Sequence, residues 1–240
     1  MLFTDTPAGA VSAGLAVSRE DRDQAERLVH DVYVARGLRD AMAPPPAPAR
    51  ATVFVARIDG AVGATLSLVR DGKRGLPSDA LYGAELAARR ASGRRLAEVS
   101  ALAVHPHRRG GALGLVRPLV QLVGIYARDV SGVDELCIAV HPRHASFYVR
   151  EFGFRRFGVE KVYDAVNGAP AVGLCLDLHR PPVAGVLSGV LFRARDIARV
   201  RAALARDLRY RAAAAGPWMQ IFQFAPPAHA LTGGVRVEVC

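Results

Sequence analysis

The sequence contains little cysteine and no long apolar run, and both deficits narrow the class of protein. Cys137, Cys175 and Cys240 are few and odd in number, which argues against a disulfide framework. Arg117 interrupts the longest apolar stretch, so we expect no transmembrane helix. The N-terminal segment lacks a basic region and carries Asp5, which is atypical of a signal peptide. We therefore expect a cytoplasmic protein.

Lysine is nearly absent, and the net charge of +10 is carried almost entirely by arginine, since Lys73 and Lys161 are the only lysines. Codon bias in a GC-rich genome would explain this composition. An acidic partner would explain it equally well, because net charge steers association. Acyl carrier protein and an anionic membrane surface both qualify. Nucleic acid is disfavoured, because no basic run is interleaved with aromatic residues.

Hydrophobic residues make up 51% of the 240 positions, enough for a sizeable core. Apolar periodicity and turn residues predict a mixed α/β chain without internal repeats. Asp21 is the expected cap of the first helix and Pro118 is expected near the first turn of a later one. Helices are predicted over 21–36, 81–92, 115–129 and 192–210, and strands within 15–19, 51–71, 94–104, 134–141, 154–168 and 170–178.

A loop rich in glycine and arginine, HPHRRGGALG at 105–114, joins a predicted central strand to a helix. Successive backbone N–H groups at a helix N terminus form an anion cradle, and guanidinium groups add charge suited to phosphate. An ordinary turn is an equally supported alternative. The residues predicted to bind a phosphate-bearing ligand at this loop are Val104, Arg108, Arg109, Gly110, Gly111, Ala112 and Gly114.

Glu98 lies inside the apolar strand that precedes this loop. Alternation along a strand predicts that Glu98 shares one face with Leu96, Ser100, Leu102 and Val104. Burial raises the pKa of a carboxyl group toward the range useful to a general base. A structural salt bridge to an arginine is the alternative. We favour the general base, because the strand leads directly into the anion loop.

The stretch AVHPRHASFYVREFGF, residues 139–154, places polar side chains just after a predicted buried strand. In open α/β sheets, ligands bind beyond the carboxyl ends of strands. His141, Arg143, His144 and Tyr148 are therefore candidate site residues, with proton transfer by histidine and tyrosine favoured. A helix start capped by histidine is the structural alternative. No metal is predicted, because the motif supplies no third ligand.

Four segments in order resemble the N-acyl amino acid synthases, which are GNAT-like acyltransferases related to acyl-homoserine-lactone synthases. The pattern Arg109-x-x-Ala112-x-Gly114 also resembles the acyl-CoA loop of the GNAT superfamily. The resemblance covers about residues 15–180 and implies a mixed, mostly antiparallel sheet flanked by helices. The four segments are residues 71–86, 93–104, 139–154 and 166–178.

The resemblance implies transfer of a fatty-acyl group from a phosphopantetheine thioester, on acyl carrier protein or CoA, to an amino acid or similar small amine. No permanently bound cofactor is implied. Glu98 would act as base and Tyr148 would protonate the leaving thiol, while Arg143 and His144 bind the acceptor carboxylate or orient the site. Ser100 and His141 are further substrate contacts. An acetyl-CoA-dependent small-molecule N-acetyltransferase and a non-catalytic GNAT-shaped binding module are the alternatives.

Two departures from the family pattern refine these expectations. Ala112 replaces the first loop glycine and narrows the room for a CoA pyrophosphate, which favours a carrier-protein donor. Ala101 stands where homoserine-lactone synthases have an arginine, which argues against an S-adenosylmethionine acceptor.

Residues 181–240 lie outside the resemblance and are predicted as a separate C-terminal unit after an acyltransferase domain of residues 1–180. Arginines such as Arg195 and Arg199 form either a solvated face or a docking surface for carrier protein, and peripheral membrane contact is also open. Trp218, Phe222 and Phe224 are expected to cover part of an acyl channel. The sequence does not indicate an oligomeric state.

Overall fold

The structure is a computed structural model that describes residues 2–6, 9–42, 51–106, 112–180 and 194–214. The described residues form nine strands and five α-helices. The strands are β1 (Leu2–Thr6), β2 (Gly9–Leu15), β3 (Ala51–Ile58), β4 (Ala61–Arg70), β5 (Leu96–Val104), β6 (Glu135–Val140), β7 (Arg155–Arg156), β8 (Lys161–Tyr163) and β9 (Ala169–Asp177). The helices are α1 (Arg19–Ala35), α2 (Asp79–Ala91), α3 (Ala112–Ile125), α4 (Pro142–Phe147) and α5 (Ala194–Ala214).

The strands form one mixed sheet in the order β1-β2-β3-β4-β5-β6-β9-β7, with β8 also paired to β9. All described pairings are antiparallel except that of β5 with β6. This confirms the mostly antiparallel sheet and the central position predicted for β5. Its apolar residues on both faces suit a strand that is covered from both sides.

The parallel pairing of β5 with β6 is short. Its register joins Leu96–Glu98 to Glu135–Cys137 and ends there, although β5 continues to Val104 and β6 to Val140. The two strands therefore separate toward their carboxyl ends, and the facing backbone edges beyond Glu98 and Cys137 lack a strand partner among the described residues.

A β-bulge in β5 reverses the alternation of its side chains. Ser67 of β4 pairs with Ser100 and Thr65 pairs with Ala103, so two residues of β5 oppose one of β4, and Ala101 has φ +52°. The prediction that Leu102 and Val104 share the face of Glu98 is therefore wrong. Both pack against the main core, whereas Ala101 and Ala103 pack against α1.

The turns follow the local chemistry of the sequence. Asp59 and Gly60, with φ +52° and +85°, join β3 to β4 in a hairpin turn, both central positions of which require positive φ. Ser18, rather than Asp21, caps α1: its Oγ accepts from the Asp21 amide at 3.0 Å. The strand expected at 15–19 lies earlier, as β2.

Helix α3 extends further toward its N terminus than predicted. It begins at Ala112, so Pro118 lies inside the helix rather than in its first turn. A proline there donates no hydrogen bond to the carbonyl four residues earlier, which belongs to Gly114.

Helix α5 packs on the same core as the sheet, through Val200, Ala203 and Leu204. Arg201 donates to Asp129 at 2.8 Å, which ties the outer face of α5 to the turn after α3. The described residues give no side-chain position for Arg195, and Trp218, Phe222 and Phe224 lie outside them. No helix within the described ranges is long and apolar enough to cross a membrane.

Candidate active site

The separation of β5 and β6 opens a cavity of about 520 Å³, a size typical of small-molecule sites. Its mouth lies at the carboxyl ends of both strands, where α1 and α4 approach. Its interior runs between α3 and the sheet and is mostly apolar. The interior residues include Leu66, Val120, Val123, Gly124, Leu136, Ile138, Phe152, Phe154, Leu176 and Leu178.

Backbone groups also line this cavity. Beyond the short parallel ladder, each of β5 and β6 keeps one edge without a strand partner, because the other edges pair with β4 and β9. Val104, Ala139 and Val140 on these edges face the cavity. Unpaired N–H and C=O groups bind extended ligands that contain amides, as an added strand does.

An aromatic cluster forms the wall of the cavity beside α4. A π-helical turn spans Tyr148–Phe152, with Phe147 directly before it. Gly153, which has φ +75°, ends the turn. Ring centroids in this cluster lie 5.6 Å apart for Phe147 and Tyr148 and 5.9 Å apart for Tyr148 and Phe154. Burial raises the pKa of Tyr148 to about 12, so its hydroxyl keeps its proton at neutral pH.

The mouth carries positive charge. Arg36 at the end of α1 and Arg143 in α4 are exposed and line the cavity, and neither has a carboxylate partner among the described residues. His141 caps α4, since its Nδ1 accepts from the Arg143 amide at 3.2 Å. The capping histidine considered from the sequence is thus present, and its ring also lines the cavity.

His144 supports Arg143. The Nε–H group of Arg143 donates to Nε2 of His144 at 3.1 Å. Desolvation, Arg143, Arg36 and His141 together lower the pKa of His144, which keeps the ring neutral and able to accept this hydrogen bond. The arrangement suits His144 to orient an arginine at the mouth, while its role in proton transfer stays a prediction.

Glu98 lies on the α2 face of β5 and is 3% exposed. The backbone N–H and the hydroxyl of Ser78 donate to Oε2 of Glu98 at 2.8 and 2.7 Å. Burial outweighs these two hydrogen bonds and raises the pKa of Glu98 to about 7. No arginine pairs with Glu98 among the described residues, so the geometry favours the general base over the structural salt bridge. In the part of the chain that the structure describes, both hydrogen bonds to Glu98 go to Oε2.

Tyr33 is a second tyrosine of the cavity wall, and the charge of Glu98 reaches it. It lines the cavity from α1, and burial raises the pKa of its hydroxyl. The charge of Glu98 also acts on Tyr33, and Tyr33 in turn acts on Tyr148. Glu98 does not line the cavity itself, so Tyr33 or water would connect it to an acceptor amine.

Sequence reasoning missed Tyr33, Arg36 and Ser78. Tyr33 belongs to the apolar face of α1, and its spacing alone indicates a core residue, although its hydroxyl is a signal of a polar contact. Arg36 stands among thirty-two basic residues and carries no local signal. Ser78 precedes α2, where a serine normally indicates only a helix cap.

The remaining predicted residues divide into two groups. Ser100 and Val104 line the cavity, and Gly114 lies in the first turn of α3. Arg108, Arg109, Gly110 and Gly111 lie outside the described residues, and the side chain of Ala112 is not described. The phosphate loop therefore stays a prediction. Across the described part of the chain, no group of three or more potential ligands is placed to hold a metal ion.

Comparison with known proteins agrees with this geometry. The model of the family described as N-acyl amino acid synthase FeeM matches residues 24–177. The structure of FeeM from uncultured soil microbes is 31% identical, with a TM-score of 0.64 over 75% of this chain and 97% of that one.

More distant structures share the fold. The acyl-homoserine-lactone synthase LasI is 18% identical, with a TM-score of 0.53 over 70% of this chain and 89% of that chain. An agmatine N-acetyltransferase is 17% identical, with a TM-score of 0.51 over 70% of this chain and 99% of that chain. Comparison with curated protein sequences gives no significant match. The family match and the FeeM structure together show that this chain belongs to the FeeM family of N-acyl amino acid synthases, and that it is an acyltransferase with a GNAT-like fold.

Proposed function

We propose that the protein transfers a fatty-acyl group from the phosphopantetheine thioester of acyl carrier protein to the amine of a free amino acid. The observation that carries the proposal is the cavity between β5 and β6, which joins a cationic mouth to an apolar interior. An acetyl group would leave that interior unfilled. A longer chain would gain about 0.8 kcal/mol for each methylene buried there.

The unpaired strand edges support a pantetheine donor. The pantetheine arm contains two amide groups in an extended chain, and the edges of β5 and β6 offer backbone N–H and C=O groups along the cavity. Such pairing holds the arm by its amides and leaves the thioester beside Tyr148.

The acceptor is assigned from charge. Arg36 and Arg143 meet at the mouth without a described carboxylate, and guanidinium groups bind carboxylates by charge-assisted hydrogen bonds. A free amino acid supplies both the carboxylate for these arginines and the amine for the reaction. His144 would hold Arg143 in position for this contact.

The reaction needs one base and one acid. The neutral amine attacks the thioester carbonyl, a C–N bond forms and the C–S bond breaks. The proton lost by nitrogen goes to Glu98, through Tyr33 or water, and the leaving thiolate takes a proton from Tyr148, which then regains one from solvent. A pKa of about 7 lets Glu98 exchange its proton with solvent near neutral pH.

Two features support carrier protein over CoA as the donor. The net charge of +10 would attract an acidic carrier protein. Ala112 stands at the loop position where the superfamily pattern has a glycine that admits a pyrophosphate, and an acylated carrier protein has no pyrophosphate there.

The test is a donor and acceptor series analysed by mass spectrometry. We expect long-chain acyl carrier protein to exceed the matching acyl-CoA, with an advantage that shrinks as ionic strength rises. Free amino acids should exceed their uncharged amides as acceptors. Acetyl-CoA as the best donor at every ionic strength would refute the fatty-acyl proposal.

Arginine variants test the acceptor assignment separately. Arg36→Gln and Arg143→Gln should each raise the KM for a free amino acid about tenfold, since hydrogen bonds to charged groups contribute about 1.5–3 kcal/mol. Neither change should affect the KM for the amino acid amide. Arg74→Gln, an exposed arginine outside the cavity, is the matched control. Equal losses with the acid and the amide would rule out carboxylate binding.

A further inference from the structure

Gly124 occupies an unusual place in α3. It is a buried glycine in the last turn of the helix, where alanine would be more favourable by about 0.5–1 kcal/mol. Close packing of a neighbour would explain such a glycine. An added Cβ at Gly124 would nevertheless meet no atom of the described residues within 4 Å, so none of these neighbours requires its absence.

The open space beside Gly124 is the cavity. Gly124 lines the cavity and is itself buried, so a side chain at this position would project into the cavity rather than into solvent. The other buried glycines near the sheet differ. A Cβ at Gly63 would lie 3.2 Å from Leu115, and one at Gly173 would lie 2.9 Å from Phe157.

Gly124 also lies near the inner end of the cavity. Helix α3 runs back from the carboxyl end of β5, which brings its last turn to the end of the sheet where β6 begins. Leu136 lies at that end and pairs with Leu176 of β9, and both line the cavity with Gly124. The mouth, at His141, is five residues along β6, or about 16 Å at about 3.3 Å per residue.

This depth sets a chain length. An extended chain of tetrahedral bonds advances about 1.2 Å per bond, as a polypeptide does over three bonds per residue. A depth of about 16 Å therefore admits about 13 bonds, the thioester group included. An acyl chain on the order of ten to twelve carbons would end beside Gly124.

We propose that Gly124 determines acyl-chain length, because the missing side chain leaves the inner end of the cavity open to the last methylenes of the donor. The inference rests on the proposed function, in which the cavity holds a fatty-acyl chain. It goes further in naming the position that sets the upper limit of the chain. A larger side chain there would shorten the accepted donor.

The experiment compares Gly124→Leu and Gly124→Ala with the wild type on saturated acyl donors of four to sixteen carbons, a range chosen to bracket this length. We expect Gly124→Leu to move the optimum to shorter chains and to lower activity on the longest wild-type substrate relative to a short one at least tenfold. This follows from a loss of about fourfold in binding for each methylene excluded. Gly124→Ala should produce a smaller shift in the same direction and raise the melting temperature.

Gly83→Leu is the matched control. Gly83 lies in α2, outside the cavity, and its added Cβ also meets no atom within 4 Å in the described part of the chain. It should leave the chain-length profile unchanged. An unchanged chain-length profile in Gly124→Leu would overturn the inference. A lower melting temperature for Gly124→Ala would also overturn it, because it would show that the space beside Gly124 is already occupied.

A binding series separates this inference from the proposed function. Free saturated fatty acids of increasing length should raise the melting temperature of the wild type until the inner end is reached, and Gly124→Leu should reach its plateau at a shorter length. Length-dependent binding without transfer would refute the proposed function alone. Acyl transfer with the same length limit in the wild type and in Gly124→Leu would refute the role of Gly124 alone. If neither protein binds fatty acids, both the proposed function and the role of Gly124 are refuted.

Discussion

Replacing Glu98 with glutamine separates the catalytic value of this carboxyl group from its cost to the fold. The pKa of Glu98 is about 7 in the folded protein and 4.5 in its unperturbed state, because burial disfavours the charged form. This difference makes the ionised carboxylate cost the folded state about 3 kcal/mol at pH above 7. Glutamine keeps an oxygen for the two Ser78 donors and has no charge to desolvate.

The sign of the pH dependence follows from protonation in the two states. Below about pH 4.5, Glu98 is protonated in both the folded and the unfolded chain and costs nothing. Between pH 4.5 and 7 the unfolded chain loses its proton first, so wild-type stability falls as pH rises. Above pH 7 the full cost is present. The stability of Glu98→Gln relative to the wild type should therefore increase with pH and then level off.

Thermal denaturation at several pH values measures this difference. A free-energy change of about 3 kcal/mol corresponds to a rise of about 6–12 °C in Tm for a chain of this size. We expect the difference in Tm between Glu98→Gln and the wild type to be about 6–12 °C larger at pH 8 than at pH 4.5. Transfer activity should fall about a hundredfold or more, because the variant lacks the carboxylate that we propose as the general base.

Glu135→Gln is the matched control. Glu135 is equally buried, at 2% exposure, but it pairs with Arg89 and Arg94. Removing its charge leaves these arginines without their buried partner, so this variant should be destabilised by about 3–5 kcal/mol. A Tm difference for Glu98→Gln that does not change with pH would contradict the raised pKa. Wild-type turnover in the same variant would remove Glu98 from the mechanism.

Two further changes test the proton-transfer groups. Ser78→Ala removes one of the hydrogen bonds that stabilise the Glu98 carboxylate, so the rising limb of the kcat/KM profile should move to higher pH by about one unit; an unmoved profile would exclude Glu98 as the titrating group. Tyr148→Phe should lower kcat about ten- to a hundredfold with alkyl thioesters. A thioester of an acidic aryl thiol needs no proton on leaving and should recover most of that loss, whereas an equal loss with both donors would exclude Tyr148 as the acid.

The regular parts of the fold were predictable because their signals are local. Asp59-Gly60 between two apolar runs specifies a hairpin, and Gly37 and Gly93 end helices because positive φ is required at those positions. The apolar residues on both faces of β5 identified a central strand. The family resemblance added the mixed, mostly antiparallel sheet, which local signals do not contain.

The cavity was not predictable in the same way, because its shape depends on where pairing stops. Nothing in the β5 sequence marks the end of its ladder with β6 at Glu98, since the following residues are as apolar as those before. The sequence also gives no signal of the bulge at Ala101, because alanine rarely adopts positive φ and a glycine is the usual residue at such a position. Counting by twos therefore assigned Leu102 and Val104 to the wrong face.

Four irregular features of this fold border the cavity, and this bears on the choice between an enzyme and a binding module. Ala101 holds a left-handed conformation that costs an L-residue about 1–2 kcal/mol, and it lines the cavity. The unpaired edges of β5 and β6, the π-helical turn at Tyr148 and the helix glycine at Gly124 border the same space. A binding module would need all four, because each shapes the cavity or opens its backbone to a ligand. It would not need Glu98, whose burial destabilises the fold at neutral pH and adds no wall to the cavity. Unfavourable local features persist where function requires them, and an ionisable carboxyl group with a pKa of about 7 near such a cavity suits the general-base role that we propose for Glu98.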